Sequence, residues 1–118
     1  LAMTYNGAEG DTKAAMEEAL GLTGLSPQQI NKSYQSLIEA LWTVDPKVTM
    51  EIANSIWIRD GLPVNSRFKE VNQTNFDAEI RTLDFSLPST VDAINGWVAD
   101  NTHDLIRQII KEIDHDKV

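Results

Sequence analysis

From Val48 to Arg59 the side chains alternate in character residue by residue. Val48, Met50, Ile52, Ile56 and Ile58 share one face, broken once by Asn54, while Thr49, Glu51, Ala53, Ser55, Trp57 and Arg59 share the other. Successive side chains of an extended chain point to opposite faces, so this period predicts a strand. Read as one element, Val48–Arg59 is about twice the usual strand length. A strand of that length needs neighbours, because an open edge is an invitation to aggregation. One other segment, Ala78–Phe85, reads as a strand, and neither of its faces is uniformly apolar. Two strands make a weak sheet, since independent stability takes at least about three, or a helix packed against them. The expectation is an α+β layout whose sheet is completed by residues outside these 118. The ends point the same way: Leu1-Ala2-Met3 opens without a capping residue, and the last residues up to Val118 carry no stop signal.

Helical signals surround the strands. Leu1–Asn6 reads as a helical stub, with Gly7 as a left-handed stop. Asp11 is positioned to cap a helix over Thr12–Leu20, carrying Ala14, Ala15, Met16 and Ala19, which Gly21 closes. Ser26-Pro27-Gln28-Gln29 is the clearest start: a serine N-cap, a proline at the first helical position and a glutamine that completes a capping box. Ile30, Tyr34, Leu37, Ile38, Leu41 and Val44 follow as one apolar stripe, ended by Asp45-Pro46. Asp60-Gly61-Leu62-Pro63 breaks the long strand. Asn65 or Ser66 caps a short helix through Asn72 with Phe68 and Val71 inward. A last helix opens at Leu87-Pro88-Ser89-Thr90, and Val91, Ile94, Trp97, Val98, Leu105, Ile109 and Ile113 track one face of it. Gly96 lies inside this helix, and Asn101-Thr102 bends or ends it, making the Ile-rich stretch after Leu105 a separate segment.

Composition removes several kinds of chemistry. Without cysteine there is no disulfide framework, thiolate zinc site or cysteine nucleophile. A net charge of −8 argues against binding a phosphate backbone, which draws on clustered Lys and Arg. No apolar run is long enough for a membrane-spanning helix. His103, Asp104, Asp114, His115 and Asp116 are the candidate metal ligands, but the histidines are far apart and the carboxylates read as a solvated face. Glu17, Glu18, Glu39 and Glu51 are scattered, and Gly7, Gly10 and Gly21 lack the Lys-Ser or Lys-Thr of a phosphate loop. No catalytic, cofactor-binding or metal-binding residue is assigned. Asn54 must satisfy its amide within an apolar row, as an ordinary core amide or as a register pin, and Asn95 beside Trp97 poses a similar question. Asn31-Lys32-Ser33 and Asn72-Gln73-Thr74 match glycosylation sequons, a pattern common by chance.

Four strings in order resemble the serpins: Tyr5-x-Gly7-Ala8-x-Gly10-x-Thr12, Ala53-Asn54-Ser55-Ile56-Trp57, Asp84-Phe85-Ser86, and Ile94-Asn95-x-Trp97-Val98-x-x-x-Thr102. The last is the strongest, and the likeness covers essentially the whole chain. It implies an N-terminal portion of a suicide inhibitor of serine proteases, prokaryotic-like in its lack of cysteine. By position, the stub resembles the end of the family's second helix. Thr12–Leu20, Pro27–Val44, Asn65–Asn72 and Thr90–Thr102 resemble its third to sixth helices. Val48–Asp60 and Asp77–Phe85 resemble the second and first strands of its large central sheet. The first helix, the later strands and the reactive-centre loop are then missing. The implied partners are a target protease, met through that missing loop, and the remaining polypeptide or another copy to complete the sheet. Nucleic acid, membranes and cofactors are not implied. Heparin is not expected either, since the fourth helix carries only Lys32 against Glu39 and the flanking Asp45. After Thr102 the family usually has a Gly-Lys-Ile type segment where this chain has Asp104-Leu105-Ile106. The alternatives are a non-inhibitory serpin, an unrelated α+β interaction domain and, more distantly, a metal-dependent enzyme.

Overall fold

The start signal at Ser26 is realised in full. In a computed structural model, which describes residues 1–114, the Ser26 hydroxyl accepts from the Gln29 amide at 3.2 Å and the Gln29 side chain accepts from the Ser26 amide at 2.9 Å. With Pro27 at the first position, this box starts the longest helix, α3 (Pro27–Trp42). The other helices are α1 (Ala2–Tyr5), α2 (Gly10–Leu20), α4 (Ser66–Phe76) and α5 (Pro88–Asn101). The strands β1 (Ser55–Arg59) and β2 (Glu79–Leu83) form a two-stranded sheet. The α+β class expected from the sequence is the class observed. The described residues divide into two compact units, Leu1–Asn54 with Val64–Glu79, and Ser55–Pro63 with Ile80 onward.

In the first unit α3 packs on α4. Ile30 is 1% exposed, and the Tyr34 and Phe76 rings meet at 5.7 Å. Tyr34, Ile38 and Leu41 continue the stripe half-buried, but Leu37 and Val44 lie exposed. The helix stops at Trp42, before the proline signal, with Thr43 as its C-cap. Gly21 closes α2 in the left-handed conformation, as expected. Asp11 does not cap it: the N-cap is Glu9, without a side-chain bond, and Asp11 lies in the first turn, where its charge complements the helix dipole. No residue of α2 is buried. Gly7 is not a left-handed stop either. A Cβ there would lie 3.1 Å from the Phe68 ring, which would have to give by a few tenths of an ångström, so the glycine favours close packing rather than backbone freedom. The fifth helix of the resemblance is longer than expected, running through Phe76, and Asp77 ends it with φ of 50°.

Tyr5 anchors α1. It is 2% exposed, and its hydroxyl donates to Glu17 Oε1 at 2.7 Å. Burial first, and then the hydrogen bond and charge of Glu17, push the phenol up to about 12 from 10.0. A raised phenol pKa means that its contribution to stability is complete below pH 10.0 and is lost as pH rises toward about 12. Alkaline titration followed by tyrosinate absorbance and far-UV dichroism is expected to show one tyrosine ionising late, together with loss of structure. In Tyr5→Phe that late step is absent, and the hydrogen bond lost costs about 1.5 kcal/mol.

The long strand is the main correction. β1 covers Ser55–Arg59 only, and residues 48–54 have no regular structure. Val48 and Met50 are exposed. Strand structure requires a hydrogen-bonded neighbour, and the available neighbour, β2, is five residues long. β2 is likewise shorter than the expected Ala78–Phe85.

Candidate functional site

The two strands run in the same direction. The Glu79 amide donates to the Asn54 carbonyl at 2.9 Å at one end, and the Asp60 amide donates to the Leu83 carbonyl at 2.8 Å at the other. Parallel neighbours need a long crossover, and here it contains α4. Backbone groups alternate sides along a strand, so those of Trp57 and Arg59 point away from β2. The sheet ends at β1 on one side and at β2 on the other among the described residues.

Trp57 of β1 meets Trp97 of α5 edge to face, with centroids 6.1 Å apart and planes at 80°. The Trp57 indole donates to Ser55 Oγ at 3.0 Å, and the Arg81 guanidinium of β2 lies 5.6 Å from the Trp57 ring centre. α5 starts with Pro88 at its first turn and no side-chain cap. Thr90, 2% exposed, donates its hydroxyl to the Asp84 carbonyl and so ties the first turn to the preceding loop. Ile94 and Val98 are the buried apolar residues of the helix, and Thr102 is its C-cap.

The helix ends at Thr102, one of the two outcomes expected of Asn101-Thr102, and the apolar face does not continue past it as helix. Residues 105–114 have no regular structure, and Leu105, Ile106 and Ile109 are exposed. Side chains hold this segment instead. Asn95 donates to the Ile110 carbonyl at 2.9 Å and accepts from the amides of Ile109 and Ile110 at 2.9 and 3.2 Å. Thr102 Oγ1 donates to the Val98 carbonyl at 2.8 Å and accepts from the Ile106 amide at 3.0 Å. His103 and Asp104 have φ of 52° and 63°. Asp104 thus adopts the left-handed form at the place where the resemblance expects glycine, and the helix exit survives that departure.

The first unit holds an amide cluster that the sequence did not signal. Asn6 and Asn31 exchange two bonds of 2.9 Å, and Asn6 Nδ2 also donates to Asn72 Oδ1 at 3.1 Å. Asn72 donates in turn to the Met3 carbonyl at 3.4 Å. The two asparagines that look like glycosylation sequons are only 6% and 0% exposed. Phe68, Asn72 and Phe76 are four residues apart, and that spacing was the available sign that Asn72 faces inward. A cleft of about 520 Å³ lies alongside, lined among others by Asn6, Gly7, Glu9, Lys32, Arg67 and Phe68. Asn54 is a satisfied amide, donating to the Phe76 carbonyl at 3.2 Å.

Of the candidate metal ligands, His103, Asp104 and Asp114 fall among the described residues, and His115 and Asp116 lie outside them. Among the described residues no three His, Asp or Glu side chains are placed to hold a metal ion. Glu17 is engaged by Tyr5 and Glu39 by Gln35, in separate places. No described helix is long and apolar enough to cross a membrane.

In the second unit a tryptophan pair links β1 to α5, and an asparagine of α5 holds the segment that follows the helix. That arrangement belongs to a known class: the chain is a member of the serpin family, whose model, described as serpin (serine protease inhibitor), matches residues 1–118. Iripin-3 of Ixodes ricinus is 29% identical over 116 residues, covering 95% of this chain and 30% of the relative. The crystal structure of a thermophilic serpin, tengpin, in the latent state superposes with a TM-score of 0.88 at 35% identity, over 99% of this chain and 31% of that one. The native state of tengpin superposes with a TM-score of 0.81 at 34% identity, over 98% of this chain and 29% of that one. The chain spans about 30% of the length of the curated relatives it matches.

Proposed function

We infer that this chain is the N-terminal scaffold portion of a serpin-type suicide inhibitor of serine proteases. The observation that carries the reading is the pair of short parallel strands whose outer backbone groups face away from each other. In this reading a protease cleaves a reactive-centre loop carried by the C-terminal half of the intact protein. The loop then enters the large sheet as a new strand before the acyl-enzyme is hydrolysed. β1 and β2 supply the margin of that sheet, and α5 is the helix that yields while it opens. The likeness of the same residues to both a native and a latent relative supports a portion that serves two states of one fold. This portion carries no bait peptide bond, so as an isolated piece it is expected not to inhibit. α3 contains one basic residue, Lys32, so activation by an anionic polymer through that helix is not part of the reading.

Hydrogen exchange tests the scaffold role. In the intact protein the amides of Trp57 and Arg59, which point away from β2, are expected to exchange as slowly as those of Ile56 and Ile58, because another strand covers them. Fast exchange at Trp57 and Arg59 beside slow exchange at Ile56 and Ile58 would mean that β1 is a true edge, and the reading fails.

A further inference from the structure

The sequence contains two Asn-Gly steps, Asn6-Gly7 and Asn95-Gly96. Asparagine amides are chemically labile, and a following glycine, without a side chain, hinders its own backbone nitrogen least. In both places the fold engages the asparagine side chain three times. Asn6 Nδ2 donates to Asn31 and Asn72, and its Oδ1 accepts from Asn31. Asn95 Nδ2 donates to the Ile110 carbonyl, and its Oδ1 accepts from two amides. The attacking nitrogens are engaged as well. The Gly7 amide donates to the Thr4 carbonyl at 3.0 Å, and Gly96 lies within the hydrogen-bonded ladder of α5.

We propose that Asn6 and Asn95 are fold-protected deamidation sites, modified only in molecules whose surrounding segment has opened. In the opened chain the glycine nitrogen bonds to the asparagine Cγ and the Cγ–Nδ2 bond breaks. Ammonia leaves with the glycine amide proton, and a cyclic imide remains. Water then adds across either imide C–N bond, giving aspartate or isoaspartate. Water is not what limits the step at Asn6, because the cleft beside it is open and Gly7 is exposed. The limit is the hydrogen-bonded geometry of both reacting groups.

The two products differ in consequence. At position 6 a carboxylate cannot donate, yet the Oδ1 atoms of Asn31 and Asn72 both face the donor it replaces. Reclosing then leaves acceptors against a negative charge, so modification in the opened state is retained as damage. At position 95 a carboxylate still accepts from the Ile109 and Ile110 amides and loses only the donation to the Ile110 carbonyl. Reclosing there is tolerated for the aspartate product, whereas isoaspartate puts an extra backbone carbon into α5.

The test incubates the intact protein in mildly alkaline buffer, folded and in urea, and maps both Asn-Gly peptides by mass spectrometry. Conversion at both sites is expected in urea and, in the folded protein, to be roughly tenfold slower or more. Equal rates at either site, or no conversion in urea, overturn the proposal. As a second measurement, Asn6→Asp is expected to lower the unfolding midpoint clearly and Asn95→Asp to leave it nearly unchanged. Equal effects of the two substitutions overturn the assigned asymmetry. If Asn6→Asp does not fold, the peptide mapping of the unaltered protein still decides.

Discussion

Asn72→Asp is expected to lower the unfolding free energy of the intact protein by about 3 kcal/mol at neutral pH, as for a buried charge without a partner. Asn72 is 0% exposed, with Oδ1 accepting from Asn6 and Nδ2 donating to the Met3 carbonyl. A carboxylate keeps the first bond but turns an oxygen toward the Met3 carbonyl, where a donor is required. Burial raises the pKa of the new group in the folded state. The destabilisation is therefore full above that raised pKa and shrinks as pH falls and the group becomes neutral. Urea midpoints at neutral and acidic pH check both the size and the sign. A variant as stable as the unaltered protein at neutral pH would show that the amide cluster does not form.

Ile30→Ala is expected to cost about 3 kcal/mol, in the range for emptying a well-packed site. Ile30 is 1% exposed and belongs, with Tyr5 and Asn72, to the most deeply buried side chains of the first unit. Ile30→Val removes one methyl group and is expected to cost about 1 kcal/mol. Urea unfolding of the pair gives a graded series, and equal midpoints for both variants would contradict the packing described for α3.

The local chemistry of the chain was legible where one residue determines one bond. Ser26, Pro27 and Gln29 act within one turn, so the start of α3 could be read without the rest of the fold. Gly21 is similar, since a left-handed stop is a property of its own backbone. Gly7 differs, because the ring it packs against, Phe68, is distant in sequence. The alternation at 48–59 was real, but alternation reports which side each residue faces and not how far a partner runs alongside. β1 is accordingly five residues long, matching β2. Asn101-Thr102 marks the end of α5 in the sequence, but the apolar spacing of the stretch after Leu105 cannot show whether that face is covered. Asn95, noticed in the sequence only as a polar residue beside Trp97, holds that stretch through Ile109 and Ile110. The amide cluster was hidden for a different reason: Asn6, Asn31 and Asn72 come together only once α1, α3 and α4 have assembled.

Family membership rests on the whole chain, whereas the proposed inhibition concerns the intact protein. The most direct measurement is incubation of the intact protein with a panel of serine proteases, followed by denaturing gel electrophoresis. A suicide inhibitor traps the protease as an acyl-enzyme, so a complex resistant to SDS is expected with at least one member of the panel. Ordinary cleavage or no reaction with every protease would contradict the inhibitory account and favour a non-inhibitory serpin.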